Sequence, residues 1–306
     1  MNVDLVGTVQ LLVWVAPLIF ESPCFAMKGG TALNLFVQNL PRLSVDIDLA
    51  FVDGTLPRDA ALRMIGEELG AAAARLEAAG LRATLRKSRD GSDTKLFVSD
   101  GVREVKAEVN CVFRGTAMAP VRAGLSAAAQ RLFAVNIEVP LLATPELYGS
   151  KLVAALDRQH PRDLFDVQLM YACFGLPPAF VDCFVVYLAG HHRPVHEVLF
   201  PNPRDIGALF DAEFSGMTQA EVSIDALIAT RRRLFAELPA ALSARHRAFL
   251  LSLVRDGPDW SLLPFARASA LPALQWKLMN LRKLRPNRVK FEQQAAMLTQ
   301  RFDQLH

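Results

Sequence analysis

The sequence predicts an α+β chain: a mixed sheet with flanking helices over residues 1–145, then a helical C-terminal domain over residues 146–306. Three observations carry this expectation. Short extended runs in the first half alternate apolar and polar residues and are separated by Gly, Pro and Asp-Gly turn signals. From Glu146 onward the apolar residues recur at helical spacing instead. A length of 306 residues leaves room for two domains, or for one with a large helical extension.

Composition narrows the class. Hydrophobic residues make up 52% of the chain and charged ones 21%, which implies a sizeable core and excludes a disordered protein. A net charge of +3 neither demands nor excludes a nucleic-acid partner, so any RNA site must be a local patch. Cys24, Cys111, Cys173 and Cys183 show no C-x-x-C spacing and no histidine pairing. They read as reduced, mostly buried thiols of a cytoplasmic protein, not as zinc ligands or disulfides.

The elements follow in chain order. The apolar run Leu5–Phe20 is shorter than a bilayer span, contains Gln10 and Pro17, and lacks a basic leader and a cleavage site. It is expected to be a buried helix on the sheet, with no membrane association. A short strand ends at Met27, the chain turns on Gly29-Gly30, and a helix begins at Thr31. After Pro41 a strand is expected over Leu43–Phe51, with Val45, Ile47, Leu49 and Phe51 on one face and Ser44, Asp46 and Asp48 on the other. Arg58–Ala79 has the spacing of an amphipathic helix stopped by Gly80. Leu81–Lys87, Thr94–Ser99 and Val102–Val109 are separated by Asp90-Gly91 and Asp100-Gly101, the pattern of an antiparallel meander. A further strand is expected over Ala134–Val139.

Two chemical constellations stand out. Carboxylates at Asp46 and Asp48, stacked on one strand face, repel each other unless a cation lies between them. A hard divalent ion shared with substrate phosphates is the usual cation. The backbone N–H groups of a Gly-Gly turn opening a helix make a phosphate cradle just upstream. Singly, each feature is an ordinary turn or a solvated edge. In this order and spacing they are the equipment of nucleotidyl transfer. Glu108, on the polar face of the later strand with Lys106 and Asn110, either faces solvent or joins the Asp pair.

The second constellation is helical. Thr144-Pro145 starts a helix that carries Lys151, Ala155 and Arg158 along one face. His160-Pro161 interrupts it, and Asp163 and Asp166 lie one turn apart on the next helix. These charges form either a surface ion-pair network of little energetic weight or a working group. In the second case Lys151 neutralises charge on a triphosphate, and Asp166 orients that lysine or handles the nucleophile's proton.

Lys28, Gly29, Gly30, Thr31, Ala32 and Leu33, followed by Arg42, Ser44, Asp46, Ile47, Asp48 and Leu49, resemble the first motif of the nucleotidyltransferase toxins of the AbiEii/AbiGii type. That group is a branch of the polymerase-beta-like nucleotidyltransferase superfamily. Residues 151–166, KLVAALDRQHPRDLFD, are similar to its later motif. The resemblance covers roughly residues 20 to 170 and implies a nucleotidyltransferase-type mixed sheet. It implies catalytic roles for Asp46, Asp48, Lys151 and Asp166, supporting roles for Arg158 and Asp163, and Glu108 as a third acidic metal ligand. Lys28, Gly29, Gly30, Thr31 and Ser44 would bind the nucleotide. It further implies Mg²⁺ or Mn²⁺, a nucleoside triphosphate, and a cognate antitoxin in a bacterial toxin–antitoxin or phage-defence pair. The acceptor it implies is RNA, with the tRNA 3′ end as one such acceptor. Ser44 has two further readings: a hydrogen bond that orients its loop, or a site of inactivating modification.

The remaining sequence is helical, with Gln219–Leu238 and Ala240–Val254 as amphipathic helices punctuated by prolines. Arg231-Arg232-Arg233 reads as a solvated face, and the basic stretch Lys277–Lys290 as either a solvated face or a phosphate-backbone contact. His191, His192 and His196 are expected at the surface. The rival readings of function are the same chemistry directed at a protein hydroxyl, a phosphoryl transfer, and a non-enzymatic nucleotide-binding module.

Overall fold

The computed structural model describes residues 3–87 and 93–305. The expected Asp90-Gly91 turn lies outside the described residues. The chain divides into two compact units: Met1–Leu147 with Ser215–Glu221, and Tyr148–Phe214 with Val222–His306. The expected division at 145/146 does not include the return of Ser215–Glu221 to the first unit.

The first unit is built on one mixed sheet. Helix α1 (Val3–Ile19) precedes β1 (Phe25–Lys28), which runs directly into the short helix α2 (Gly29–Thr31) and a π-helical continuation (Ala32–Val37). Strand β2 (Asp46–Phe51), α3 (Arg58–Ala78), β3 (Arg82–Lys87), β4 (Asp93–Ser99) and β5 (Glu104–Asn110) follow, then β6 (Val121–Gly124), α4 (Ala127–Phe133) and β7 (Glu138–Leu141). The strand order is β3-β4-β5-β2-β1-β7-β6. Pairs β2–β5 and β1–β7 are parallel, and the other neighbours are antiparallel.

Period-two alternation divides the central strands into two faces. Ile47, Leu49 and Phe51 of β2 and Val105, Ala107 and Val109 of β5 are buried. Helix α1 packs on β2 and β5, burying Val9, Leu12, Val13 and Ile19, and α3 packs on β3, β4 and α1, burying Ile65, Leu69, Ala72 and Leu76. Each large apolar side chain so buried contributes about 1.5–3 kcal/mol. No described helix is long and apolar enough to cross a membrane. Helix α3 stops in a Schellman turn: Leu81 N–H donates to the Leu76 carbonyl at 3.1 Å, with Gly80 at φ +84°.

Two expectations need correction here. The motif strand begins at Asp46, not Leu43, because residues 41–43 hydrogen-bond elsewhere. Leu43 N–H donates to Met217 O at 3.0 Å, Gln219 N–H donates to Pro41 O at 3.0 Å, and Arg42 bridges Thr218. The returning segment thus pins the approach to the strand, and Ser44 lies in a loop. The strand expected over Ala134–Val139 begins only at Glu138. Helix α4, capped by the Ser126 hydroxyl accepting from Ala129 N, runs to Phe133, and Ala134 takes a left-handed φ of +51°.

The second unit is helical. From Tyr148 it comprises the body of α5 (Thr144–Arg158), then α6 (Pro161–Phe174), α7 (Pro178–Ala189), α8 (Val195–Leu199) and α9 (Gly207–Glu213), and, after the segment Ser215–Glu221, α10 (Ile224–Ala240), α11 (Ala244–Val254), α12 (Pro272–Leu284) and α13 (Arg288–Asp303). Helix α10 starts at the Ser223 cap and α11 at the Ser243/His246 capping box, each a few residues later than patterning suggests. Gly149 lets α5 approach α7 closely, since a Cβ there would lie 2.7 Å from the backbone of Cys183 and Phe184. Tyr148 stacks on Phe180 with ring centroids 5.0 Å apart.

Three surface expectations in this unit are also corrected. Arg231, His191 and Lys277 are all buried. His191 lies 3.5 Å from Asp157, and burial pushes its imidazole down to about 4 despite that carboxylate. It is therefore neutral near pH 7.

Candidate active site

In the first unit, β1 ends at Lys28, and the next residue turns the chain. Gly29 has φ +76°, and the chain enters the helix at once. Lys28 occupies the N-cap position, and its side chain makes no capping bond. The turn packs tightly against the motif strand. A Cβ on Gly29 would meet the Asp48 carboxylate, and one on Gly30 would lie 2.7 Å from the Arg42 guanidinium and 3.0 Å from the Ser44 hydroxyl. Thr31 Oγ1 is 2.9 Å from Ser44 Oγ and also donates to the Asp46 carbonyl. Asn34 Nδ2 donates to the Gly30 carbonyl at 2.8 Å. The glycine turn, the hydroxyl loop and the carboxylate strand are therefore one assembly. Its helix widens into π geometry one residue later, a feature frequent at functional sites.

Strand register spreads the charges into rows. Lys28 on β1, Asp48 on β2, Glu108 on β5 and Lys95 on β4 are successive partners across the sheet. In the adjacent row Asp46 pairs with Lys106. Paired residues share a face, so all six side chains project from the side opposite α1 and α3. Lys106 Nζ lies 3.1 Å from Glu108 Oε2 and 3.7 Å from Asp46 Oδ1, and Lys95 Nζ lies 3.5 Å from Glu108 Oε2. Burial pulls the Lys106 ammonium down, but Asp46 and Glu108 outweigh it and hold it above its usual range.

In the second unit, Lys151 of α5 reaches two carboxylates of α6. Its Nζ lies 2.8 Å from Asp163 Oδ1 and 2.9 Å from Asp166 Oδ2, and Arg158 approaches Asp163 Oδ2 at 2.8 Å. Lys151 is 7% exposed and each aspartate 3%, so this is a buried cluster and not a surface network. Burial would raise the Asp163 carboxyl, but the charges of Lys151 and Arg158 outweigh it and hold it below the usual range. The corner joining α5 and α6 is fixed from behind by Gln159, at φ +54°. Its Oε1 accepts from Arg204 N at 2.9 Å and from Arg231 at 3.2 Å, and its Nε2 donates to Asn202 O at 2.8 Å. His160 caps α6 by accepting from Arg162 N.

The chain matches the family described as nucleotidyl transferase AbiEii toxin, type IV TA system, over residues 10–280. The chain belongs to this family. It is a nucleotidyltransferase and the toxin of a type IV toxin–antitoxin system, which implies an antitoxin partner and a nucleoside triphosphate substrate. Among solved structures it is similar to MenT4, a nucleotidyltransferase toxin from Mycobacterium tuberculosis, with a TM-score of 0.59 at 18% identity, covering 88% of this chain and 92% of that one. At that identity the likeness is one of fold. No curated protein sequence matches the chain.

The toxin's donor set suits a divalent ion held partly by substrate. Asp46 and Asp48 offer two hard carboxylates on one strand face, with Asp48 against the glycine turn. It does not form a cage of its own: among the described residues, no three of His, Cys, Asp and Glu are grouped to hold a metal. Glu108, though beside Asp48 in register, is engaged by Lys106 and Lys95. Three residues with these contacts carried little signal in the sequence. Lys106 was visible only as one polar residue of a strand, and Arg231 only as one of three arginines. Gln159 carried no local signal at all.

Proposed function

We propose that this toxin transfers a nucleotide from a nucleoside triphosphate to an acceptor hydroxyl of RNA, with Mg²⁺ or Mn²⁺ held at Asp46 and Asp48. The observation that carries this is the contact of the Gly29–Gly30–Thr31 turn with Asp48 and Ser44, which joins a phosphate cradle to a carboxylate pair. Backbone N–H groups of the turn, with Lys28, seat the triphosphate. Thr31 and Ser44 fix the loop that does so. A divalent ion bound with the nucleotide supplies charge neutralisation at the phosphates.

In the helical unit, Lys151 and Asp166 are assigned catalytic roles, with Asp166 orienting the lysine through the 2.9 Å ion pair between them. Asp163, shared by Lys151 and Arg158, supports both. The acceptor hydroxyl's oxygen bonds to the α-phosphorus as its proton passes to solvent, the bond from the α-phosphorus to the bridging oxygen breaks, and pyrophosphate leaves with that oxygen. The exposed basic residues Lys283, Arg288 and Lys290 support an RNA acceptor, whereas Arg282 and Arg285 share Asp256. The tRNA 3′ end is the acceptor to examine first.

Purified toxin is incubated with each α-labelled triphosphate, Mg²⁺, total RNA and its antitoxin. Label in RNA is the expected result. Label in a protein redirects the acceptor, and no label in any fraction contradicts nucleotidyl transfer to either.

A further inference from the structure

The charged face of the sheet holds a feature that nucleotide binding and metal binding alone do not require. Across its two rows, Asp46, Asp48 and Glu108 are matched by Lys28, Lys95 and Lys106. Lys106 is the lysine placed between carboxylates: directly beside Asp46 in register, two residues from Glu108 on its own strand, and within 4 Å of both. Lys95 holds Glu108 from the other side. Strand β5 is internal to the sheet, flanked by β4 and β2, so the ladder fixes where the Lys106 side chain starts. The side chain itself is 32% exposed.

We propose that Lys106 is a built-in counter-cation of the carboxylate site: it competes with a divalent ion for Asp46 and keeps Glu108 out of that ion's ligands. This rests on the reading of Asp46 and Asp48 as the metal's ligands. The consequence is coupling. A divalent ion entering alone adds positive charge to two rows already balanced by lysines. The same ion entering with a triphosphate brings its own negative charge, and the lysine then has phosphate oxygens to face. Lys106 therefore makes metal entry depend on the nucleotide, which guards the toxin against holding metal without substrate.

The test is calorimetric titration of the full chain with Mn²⁺, with and without a non-hydrolysable triphosphate, with circular dichroism to verify folding. Lys106→Met is expected to tighten binding of Mn²⁺ alone by about 5-fold, the size expected for one nearby charge at a part-exposed site. The gain is expected to shrink when the analogue is present, to disappear in Lys106→Arg, and to fall in Lys106→Met/Glu108→Gln. A folded Lys106→Met protein that binds Mn²⁺ alone no more tightly than wild type overturns the proposal. Asp46→Asn separates the two levels. If it leaves Mn²⁺ binding intact, or if wild type binds none with the analogue present, the metal reading fails and this inference with it.

Discussion

The carboxylate of Asp48 occupies the space that a side chain on Gly29 would need: a Cβ there would lie 2.9 Å from Asp48 Cγ, and closer still to an oxygen. Gly29 also has φ +76°, which an L side chain rarely adopts. Gly29→Ala therefore meets backbone strain of about 1–2 kcal/mol and a displaced carboxylate together. It is expected to lower thermal stability modestly and abolish nucleotide transfer. Gly30→Ala, whose φ is unstrained and whose neighbours are side-chain ends, is expected to retain more of both. Melting curves and a labelled-nucleotide assay on the two variants check this.

The buried cluster in the helical unit calls for a different design. Lys151→Ala leaves Asp163 and Asp166 buried without their shared cation, at a cost of about 3–5 kcal/mol. Lost toxicity in that variant is therefore expected to include unfolding. Asp166→Asn keeps the volume and leaves the 2.8 Å Lys151–Asp163 pair, so it is expected to cost about 1–3 kcal/mol while abolishing transfer. Urea unfolding and transfer rates are measured side by side. A less stable but fully active Asp166→Asn protein assigns the cluster to folding alone.

Lys277 gives a pH signature. Its ammonium donates to the carbonyls of His191 at 3.0 Å and Arg193 at 2.7 Å, and burial lowers it from 10.5 to about 8. Glu197 offsets this only in part. With the folded pKa below the unfolded one, the unfolded chain binds more protons between these values. The Lys277 contribution to stability is therefore fully present above pH 10.5 and is lost as pH falls through about 8. The swing amounts to about 3 kcal/mol. Relative to Lys277→Met, wild type is expected to gain stability as pH rises from 8 toward 10.5. Denaturant unfolding at several pH values checks it, and parallel profiles for the two proteins contradict it.

What was legible in the sequence follows from what is local. The Gly29-Gly30 turn, the alternation of Asp46, Ile47, Asp48 and Leu49, the stop at Gly80 and the Pro161 helix start are each written within a few neighbouring residues. The partners of charged side chains are not. Arg231 looked solvated beside Arg232 and Arg233, yet it is buried against Gln159, 72 positions earlier. Residues 41–43 looked like strand but pair with 217–219, because a returning segment offers their backbone its hydrogen bonds. The tie of Lys106 to Asp46 needs the parallel register of β2 and β5, which no local pattern specifies.

The most direct measurement is incorporation of α-labelled triphosphate by Asp46→Asn and Asp48→Asn proteins, beside wild type, with unfolding curves for all three. Both side chains are part-exposed, so stability is expected to change by less than about 1 kcal/mol while incorporation drops at least about 100-fold. Folded variants that label acceptor at the wild-type rate would contradict the assignment of this sheet face as the reaction site.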